Sequence, residues 1–209
     1  MKKSLQHIQN LIFDLGGVIL NIDPGKSVES MKKLGIDHFD QLYSQFKQNE
    51  TFDKLEKGLI SEDAFIDEIL GHQNQPIERE SVIQAWNSLL LDFPKERIQV
   101  LEHFRDSKEH RTFLLSNTNA IHKRAYTQDL EAQFGYKGLE ELFEKAYFSH
   151  EINMRKPDFE IFQFVLEDSL LNPSETLFID DSEANIRAAE QLGIQTYLIQ
   201  DGTSIVDLM

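Results

Sequence analysis

The chain has no cysteine, which excludes disulfides, thiolate nucleophiles and thiolate metal sites together. It also lacks any run near the roughly 18 consecutive apolar residues of a membrane-spanning helix, so no membrane partner is expected. Residues 1–10 carry Lys2 and Lys3 without an apolar stretch behind them, and do not read as a secretory leader. Cationic residues are the third scarcity: 21 Lys and Arg stand against 36 Asp and Glu, a formal charge of −15. No basic run interrupts that excess, so the surface repels phosphate backbones and no nucleic-acid partner is expected. An anionic small molecule would have to be met by a few placed cations or by a metal, not by the overall field. These absences suit a cytoplasmic protein, and they leave the oligomeric state open.

What is present is an ordinary globular chain of 209 residues, 40% hydrophobic and 27% charged, with room for one or two domains. Short strand-like runs recur at 11–13, 112–116, 146–149, 176–180 and 195–199. Helical spacing of apolar residues lies between the later ones, over 120–134 and 158–170. A third helical stretch, 182–192, opens on the N-cap candidate Ser182 and closes at Gly193. Strands alternating with helices of this length predict an α/β fold, a doubly wound parallel sheet. From Pro24 to about Pro94 there is no strand pattern, only amphipathic helices punctuated by Gly35, Gly58, Gly71 and Pro76. One of these starts at Ser61, with Phe65, Ile69 and Leu70 as the candidates to face inward. The expected organisation is a core from 1–22 and 95–209, with a small helical domain at 23–94 inserted into it.

Four segments carry chemistry. In Leu11-Ile12-Phe13-Asp14-Leu15-Gly16-Gly17 an apolar strand ends in one carboxylate and a small-residue turn. Ligands of an open parallel sheet sit beyond the carboxyl ends of its strands, so Asp14 is aimed at a site. In Phe113-Leu114-Leu115-Ser116-Asn117-Thr118-Asn119 a second strand runs into small polar residues. A hydroxyl and backbone N–H groups there can hold phosphoryl oxygens, or can simply form a turn and cap a helix. Arg155-Lys156-Pro157 precedes a helix whose first turn suits Pro157, and Lys156 brings one fixed positive charge. Finally Phe178-Ile179-Asp180-Asp181 ends a strand in two adjacent carboxylates, which repel each other unless a cation lies between them. Mg²⁺ fits that demand, since it takes hard oxygen ligands and only one or two carboxylates. Asp14, Asp180 and Asp181 bring three negative charges; Mg²⁺ and Lys156 bring three positive ones. Such a set suits phosphoryl transfer, which needs positioning and neutralisation of oxygen charge. Attack by Asp14 would give an aspartyl-phosphate that water then hydrolyses.

In their order and residue types these segments resemble the haloacid dehalogenase superfamily, in its phosphatase branch with a helical cap inserted after the first motif. The resemblance covers about residues 11–199. The four strings look most like the subgroup containing bacterial α-D-glucose-1-phosphate phosphatase, and the cap residues Phe52, Glu56, Gly58, Ile60, Ser61 and Phe65 look similar to it too. The resemblance implies a Rossmann-like core, a helical cap and a Mg²⁺-dependent phosphomonoesterase acting on a small phosphate ester such as a hexose 1-phosphate. It makes Asp14 the nucleophile, with Ser116, Asn117, Lys156 and Gly16 holding the phosphoryl group. The metal ligands it implies are Asp14, the Gly16 carbonyl and Asp180, with Asp181 orienting Lys156 and the metal waters. Gly16 departs from the pattern, because phosphatases of the superfamily usually carry there an Asp that protonates the leaving alcohol. General acid–base help is worth about 10²–10⁴ in rate, so its loss predicts a slower or choosier enzyme. An acidic anomeric leaving oxygen suffers least. Asp23 is either a replacement acid or the cap of a helix starting near Pro24.

The remaining candidates read more blandly. The seven histidines have no ligand spacing and are expected mostly at the surface. Phe52, Phe65 and Trp86 read as packing residues, with a pocket under the cap as the alternative. Arg155 either touches substrate phosphate or pairs with an acidic neighbour, and Glu56 reads as solvated. Two rival functions stand beside the phosphatase. One is a metal-free 2-haloacid dehalogenase with Asp14 attacking carbon, against which the acidic pair speaks. The other is a catalytically silent binding or regulatory protein, which Gly16 alone supports.

Overall fold

The structure, a computed structural model, describes residues 5–48, 51–200 and 202–209. Five strands, β1 (Asn10–Phe13), β2 (Arg111–Ser116), β3 (Lys145–Phe148), β4 (Thr176–Asp180) and β5 (Gln195–Leu198), form one sheet in the order β3-β2-β1-β4-β5. Every pairing is parallel. Between β1 and β2 lie α1 (Pro24–Lys33), α2 (Phe39–Gln48), α3 (Thr51–Glu56), α4 (Glu62–Leu70), α5 (Arg79–Asn87) and α6 (Lys95–Ser107). The helices that follow are α7 (Ala120–Phe134), α8 (Ser149–Ile152), α9 (Phe159–Asp168) and α10 (Glu183–Gln191).

Alternation along the strands builds the layers. Leu11 and Phe13 of β1 join Leu114, Leu177 and Ile179 in a core closed by Leu101 and Phe104 of α6 and Leu130 of α7. Ile12 faces the other way, with Phe113, Leu115 and Phe178, onto Phe162 of α9 and Ala189 of α10. Side chains alternate with a period of two. Because both faces are covered, these strands read as continuous apolar runs rather than alternating ones. From β1 the chain builds outward through β2 to β3, then returns to β4 on the opposite side of β1. That reversal makes the crevice at the carboxyl ends of β1 and β4 the natural ligand site.

The inserted helices α1–α5 bury their own core, including Met31, Phe39, Leu55, Phe65 and Trp86, and Ile121 of α7 completes it from the sheet side. Phe65 and Ile69 are fully buried, as their spacing predicts. The cap docks on the core through the loop after α3. There Gly58 adopts φ +64, and a Cβ on it would stand 2.2 Å from the His150 carbonyl oxygen, so only glycine permits the approach. Asn153 donates to the Lys57 carbonyl at 2.7 Å, and Lys57 pairs with Asp158 at 2.8 Å.

Local details differ from the sequence expectations where tertiary contacts intervene. The third strand ends at Phe148, because Ser149 opens α8 and its hydroxyl bonds both the Thr118 N–H and the Thr118 carbonyl. Helix α9 starts at Phe159, so Pro157 lies in the preceding turn and not in the first helical turn. Ser182 occupies the N-cap position of α10, yet its hydroxyl makes no cap bond; Asp180 takes the Ser182 N–H instead, at 2.8 Å. Asp23 caps α1, accepting from the Gly25 N–H at 2.9 Å. Among the described residues no helix is long and apolar enough to cross a membrane.

Candidate active site

Asp14 continues the β1 ladder by one residue, its N–H donating to the Ile179 carbonyl at 2.9 Å. Its carboxylate therefore stands at the centre of the sheet's carboxyl edge, between Ser116 at the end of β2 and Asp180 at the end of β4. All three residues are buried. Lys156 reaches this edge from the loop before α9 and is itself 1% exposed. Its ammonium donates to Asp14 Oδ1 at 2.6 Å and to Asp180 Oδ2 at 2.7 Å.

The loop that carries Lys156 is held by Asn117, through a reciprocal pair of bonds. Asn117 Nδ2 donates to the Lys156 carbonyl at 2.8 Å, and the Lys156 N–H donates to Asn117 Oδ1 at 2.9 Å. The Asn117 side chain is thereby occupied in positioning Lys156, and what this residue has left for a ligand is its main-chain N–H. Ser116, by contrast, has a hydroxyl that bonds no protein group among the described residues.

Asp180 is the most heavily supported of the carboxylates. Besides Lys156 and the Ser182 N–H, it accepts from Asn185 Nδ2 at 3.0 and 3.1 Å. Asp181 faces the other way, as successive strand residues do, and lies over the turn after Asp14. Gly17 there has φ +73, and a Cβ on it would be 2.1 Å from Asp181 Oδ2. The ammonium of Lys156 thus bonds Asp180 rather than Asp181, and the expected orienting of Lys156 by Asp181 is taken over by its neighbour.

Carboxylate oxygens of Asp14, Asp180 and Asp181 all lie within 4.8 Å of one another. Burial, with the Asp180 charge added, pushes Asp14 up to about 7 in spite of Lys156. Burial and Asp180 also raise Asp181. Burial works against the charge on Lys156, but Asp14 and Asp180 outweigh it and hold its pKa above the ordinary value. One ammonium does not neutralise three carboxylates at this distance. The donors are hard oxygens throughout, which is the ligand chemistry of Mg²⁺.

Position 16 faces the side chain of Ile22. A Cβ on Gly16 would meet Ile22 Cδ1 at 3.0 Å, so the space a side chain there would enter is flanked by an apolar one. Asp23 is engaged as the α1 cap.

Between cap and core lies a cavity of about 420 Å³. Asn117 and Arg155 reach it from the core, each one residue from a group at the strand-end site. Arg155 pairs with Asp53, and its Nε lies 3.0 Å from Glu56 Oε2, so both cap carboxylates draw on the same guanidinium. Glu56 is therefore an ion-pair partner and not a solvated charge. Trp86 forms an aromatic wall, stacked on Phe52 with centroids 5.5 Å apart and on His122 at 5.0 Å.

His122 is the buried one of the seven histidines, of which His7, His38, His72 and His103 are exposed. Asn119 caps α7 by accepting the His122 N–H at 3.0 Å, and its Nδ2 lies 3.0 Å from His122 Nδ1. That arrangement makes Nδ1 the acceptor and puts the ring proton on Nε2. Burial lowers the imidazole pKa to about 4, so the ring is neutral. The signal in the sequence was the Asn119-x-x-His122 spacing of a cap residue and its first turn. Asn185, equally unsuspected, sits one helical turn after Ser182, where an amide can reach back to the strand end.

Residues 8–193 match the haloacid dehalogenase-like hydrolase family. The chain is similar to the D-ribitol-5-phosphate phosphatase of Bacteroides thetaiotaomicron, with 33% identity over 195 residues that cover 93% of both proteins. It is also similar to a solved HAD family enzyme of that organism in complex with magnesium and inorganic phosphate. That likeness has a TM-score of 0.84 and 38% identity, and covers 94% of this chain and 96% of the other. A HAD-like family hydrolase from Porphyromonas gingivalis superposes with a TM-score of 0.83 at 30% identity, covering 94% and 93%.

Proposed function

The chain belongs to the haloacid dehalogenase-like hydrolase family, and from its site we propose a Mg²⁺-dependent phosphomonoesterase acting on a small phosphorylated sugar or sugar alcohol. The observation that carries this reading is the Lys156 ammonium buried between Asp14 and Asp180, with Asp181 beside them and too few positive charges to balance the group. Bound at Asp14, Asp180 and the Gly16 carbonyl, with Asp181 behind its waters, Mg²⁺ would supply the missing positive charge and polarise the phosphoryl oxygens.

The chain's own residues do the rest. Lys156, Ser116 Oγ and the Asn117 main-chain N–H hold the phosphoryl oxygens, and Asp14 attacks phosphorus in line. A carboxylate O–P bond forms as the ester P–O bond breaks, and the leaving oxygen departs with the electron pair. Water then attacks the aspartyl-phosphate, releasing inorganic phosphate and restoring Asp14. With glycine at position 16 and Ile22 against it, the leaving oxygen takes its proton from water. Leaving groups that are good anions are least affected, which keeps a hexose 1-phosphate among the substrates to try. A pentitol phosphate stands beside it, because the Bacteroides relative is a D-ribitol-5-phosphate phosphatase. The cap excludes bulk water and selects the leaving group.

The test is phosphate release from a panel of sugar, polyol and nucleoside monophosphates with Mg²⁺, run in parallel on Asp14→Asn. Turnover by the wild type alone is the expected result. Equal activity in the variant would end the nucleophile assignment. Halide release from 2-haloacids that resists EDTA would favour carbon chemistry, and phosphate binding without turnover of any ester would favour a silent protein.

A further inference from the structure

The loop after β2, proposed above to hold the phosphoryl oxygens, is clamped at three consecutive residues by three different segments. Asn117 is held by the Lys156 backbone, and Thr118 by the Ser149 hydroxyl. Asn119 is held by His122: it accepts the His122 N–H at 3.0 Å, and its Nδ2 donates to the ring Nδ1 at 3.0 Å. The ring in this third clamp also touches the cap. The imidazole lies against Trp86 of α5, with centroids 5.0 Å apart and planes 20° from parallel. Trp86 is stacked in turn on Phe52 of α3, at 5.5 Å and 4°. A column of three rings therefore runs from α3 through α5 and ends in a hydrogen bond on the loop. Trp86, His122 and Asn119 are all buried, and Ile121 beside His122 belongs to the core of the inserted helices.

We propose that His122 is a positioning residue that couples the seating of the cap to the alignment of the loop at residues 116–119. The inference rests on the phosphatase reading and deepens it. An amide nitrogen donates and cannot accept, so Asn119 is gripped in this way by a neutral ring with Nδ1 turned toward it. The stack on Trp86 fixes that turn. Without the indole over it, the imidazole is free to rotate about its Cβ–Cγ bond and present a carbon in place of Nδ1. A cap seated on a leaving group thus sets the ring, and the ring sets Asn119, the cap of α7. Asn119 in turn sets the main-chain N–H of Asn117 behind it. Interactions with the leaving group are in this way used to align the groups that hold the transferring phosphoryl, which raises kcat instead of lowering KM. His122 touches no reacting atom and acts through Asn119. Coupling of this kind is reciprocal, so a phosphoryl group seated on the loop also tightens the column at Trp86.

Trp86 is the single tryptophan of the chain, so its fluorescence reads the column directly. Inorganic phosphate titrated into the wild type with Mg²⁺ shifts that emission, although the indole lies in the wall under the cap and not at the strand ends. His122→Phe keeps a ring against Trp86 but offers Asn119 no acceptor. Asn119→Ala leaves both rings in place and removes the donor, which keeps the test open where the ring variant does not fold. In each variant the shift disappears while calorimetry still detects phosphate binding. In turnover of a polyol phosphate, His122→Phe and Trp86→Leu each lower kcat about tenfold and change KM by less than about threefold. The double variant loses about tenfold as well, because the two residues act as one device. A merely structural role would change the folded fraction and leave kcat per folded molecule and the phosphate response where they were. Losses that multiply to about a hundredfold, a wild-type emission that phosphate does not move, or a shift that survives in the variants overturn the inference alone. No turnover of any ester removes the phosphatase reading and this inference with it.

Discussion

Arg155 and Lys156 are adjacent in sequence and serve two different regions. Lys156 turns into the sheet edge, where its side chain is 1% exposed and bonded to two carboxylates that are themselves buried. Arg155 turns to the cap, where its side chain is 25% exposed and pairs with Asp53 and Glu56 across the domain junction. The first region is locked: Asn117 holds the Lys156 backbone, and Asn185 and the Ser182 N–H hold Asp180. The second is a wall of aromatic rings and ion pairs, built on Trp86 and Arg155. The groups proposed to carry the chemistry sit on strand ends, where placement is rigid, and the proposed selection of the leaving group falls to the wall between the inserted helices and the sheet.

Substitutions at Asp14, the proposed nucleophile, should break the comparison most sharply. Asp14→Asn should lower kcat by a factor on the order of 10⁴ or more, read as phosphate release. The same change removes a carboxylate that burial and Asp180 disfavour, so it should raise the metal-free protein's resistance to urea. Next, Lys156→Met leaves Asp14 and Asp180 facing each other without a counter-ion, and should cost on the order of 3–5 kcal/mol in urea unfolding. Arg155→Met breaks partly exposed pairs and should cost only about 1 kcal/mol. A reversal of those two magnitudes would dissolve the distinction between the regions.

Metal and pH sharpen it further. At about 100 times its Kd, Mg²⁺ should stabilise the folded state by about 2.7 kcal/mol, an effect absent in Asp180→Asn. In EDTA, Asp14 has a folded pKa of about 7 against 3.8 in the unfolded chain. Between these values Asp14 binds its proton more tightly in the folded state, so its own contribution to metal-free stability should fall as pH rises from about 4 to about 7. His122, lowered from 6.5 to about 4 by burial, contributes in the opposite sense over about 4 to 6.5. The Asp14 part is the difference between wild type and Asp14→Asn. Lys156, held up by its carboxylates, is charged throughout that window and adds no slope. Mg²⁺ should remove the Asp14 contribution and leave that of His122, so the gain in urea midpoint on adding the ion should be larger at pH 7 than at pH 5. The smallest effects separate two glycines. Gly17→Ala, strained at φ +73 and pressed on Asp181, should cost about 1 kcal/mol and raise the Mg²⁺ concentration giving half activity. Gly58→Ala should cost at least as much, at the contact of the inserted helices with the His150 carbonyl, and change KM, with the metal requirement unmoved.

The strand-end site was legible because its residues advertise themselves locally. Asp14, Ser116 and Asp180 each end an apolar run, and a parallel sheet brings such ends together without further instruction. The role of Asn117 was not legible, because its amide is taken by a backbone 39 residues away. Nor could spacing distinguish Asp180 from Asp181 as the partner of Lys156, since that depends on which way the last strand residue faces. The pairing of Arg155 with Asp53 joins positions 102 apart. His122 looked like one more scattered histidine until the cap placed Trp86 over it.

By itself, the order of apolar runs, acids and small-residue turns determined the doubly wound sheet, the inserted helices and the edge at which the carboxylates gather. These follow from hydrophobic periodicity and strand-end geometry, which are local. Only the tertiary structure decided which carboxylate takes the ammonium, which amide holds the lysine loop, and which cap carboxylates meet Arg155. Those outcomes depend on burial and on pairings between distant segments, where electrostatic strength is set by the surroundings that folding creates.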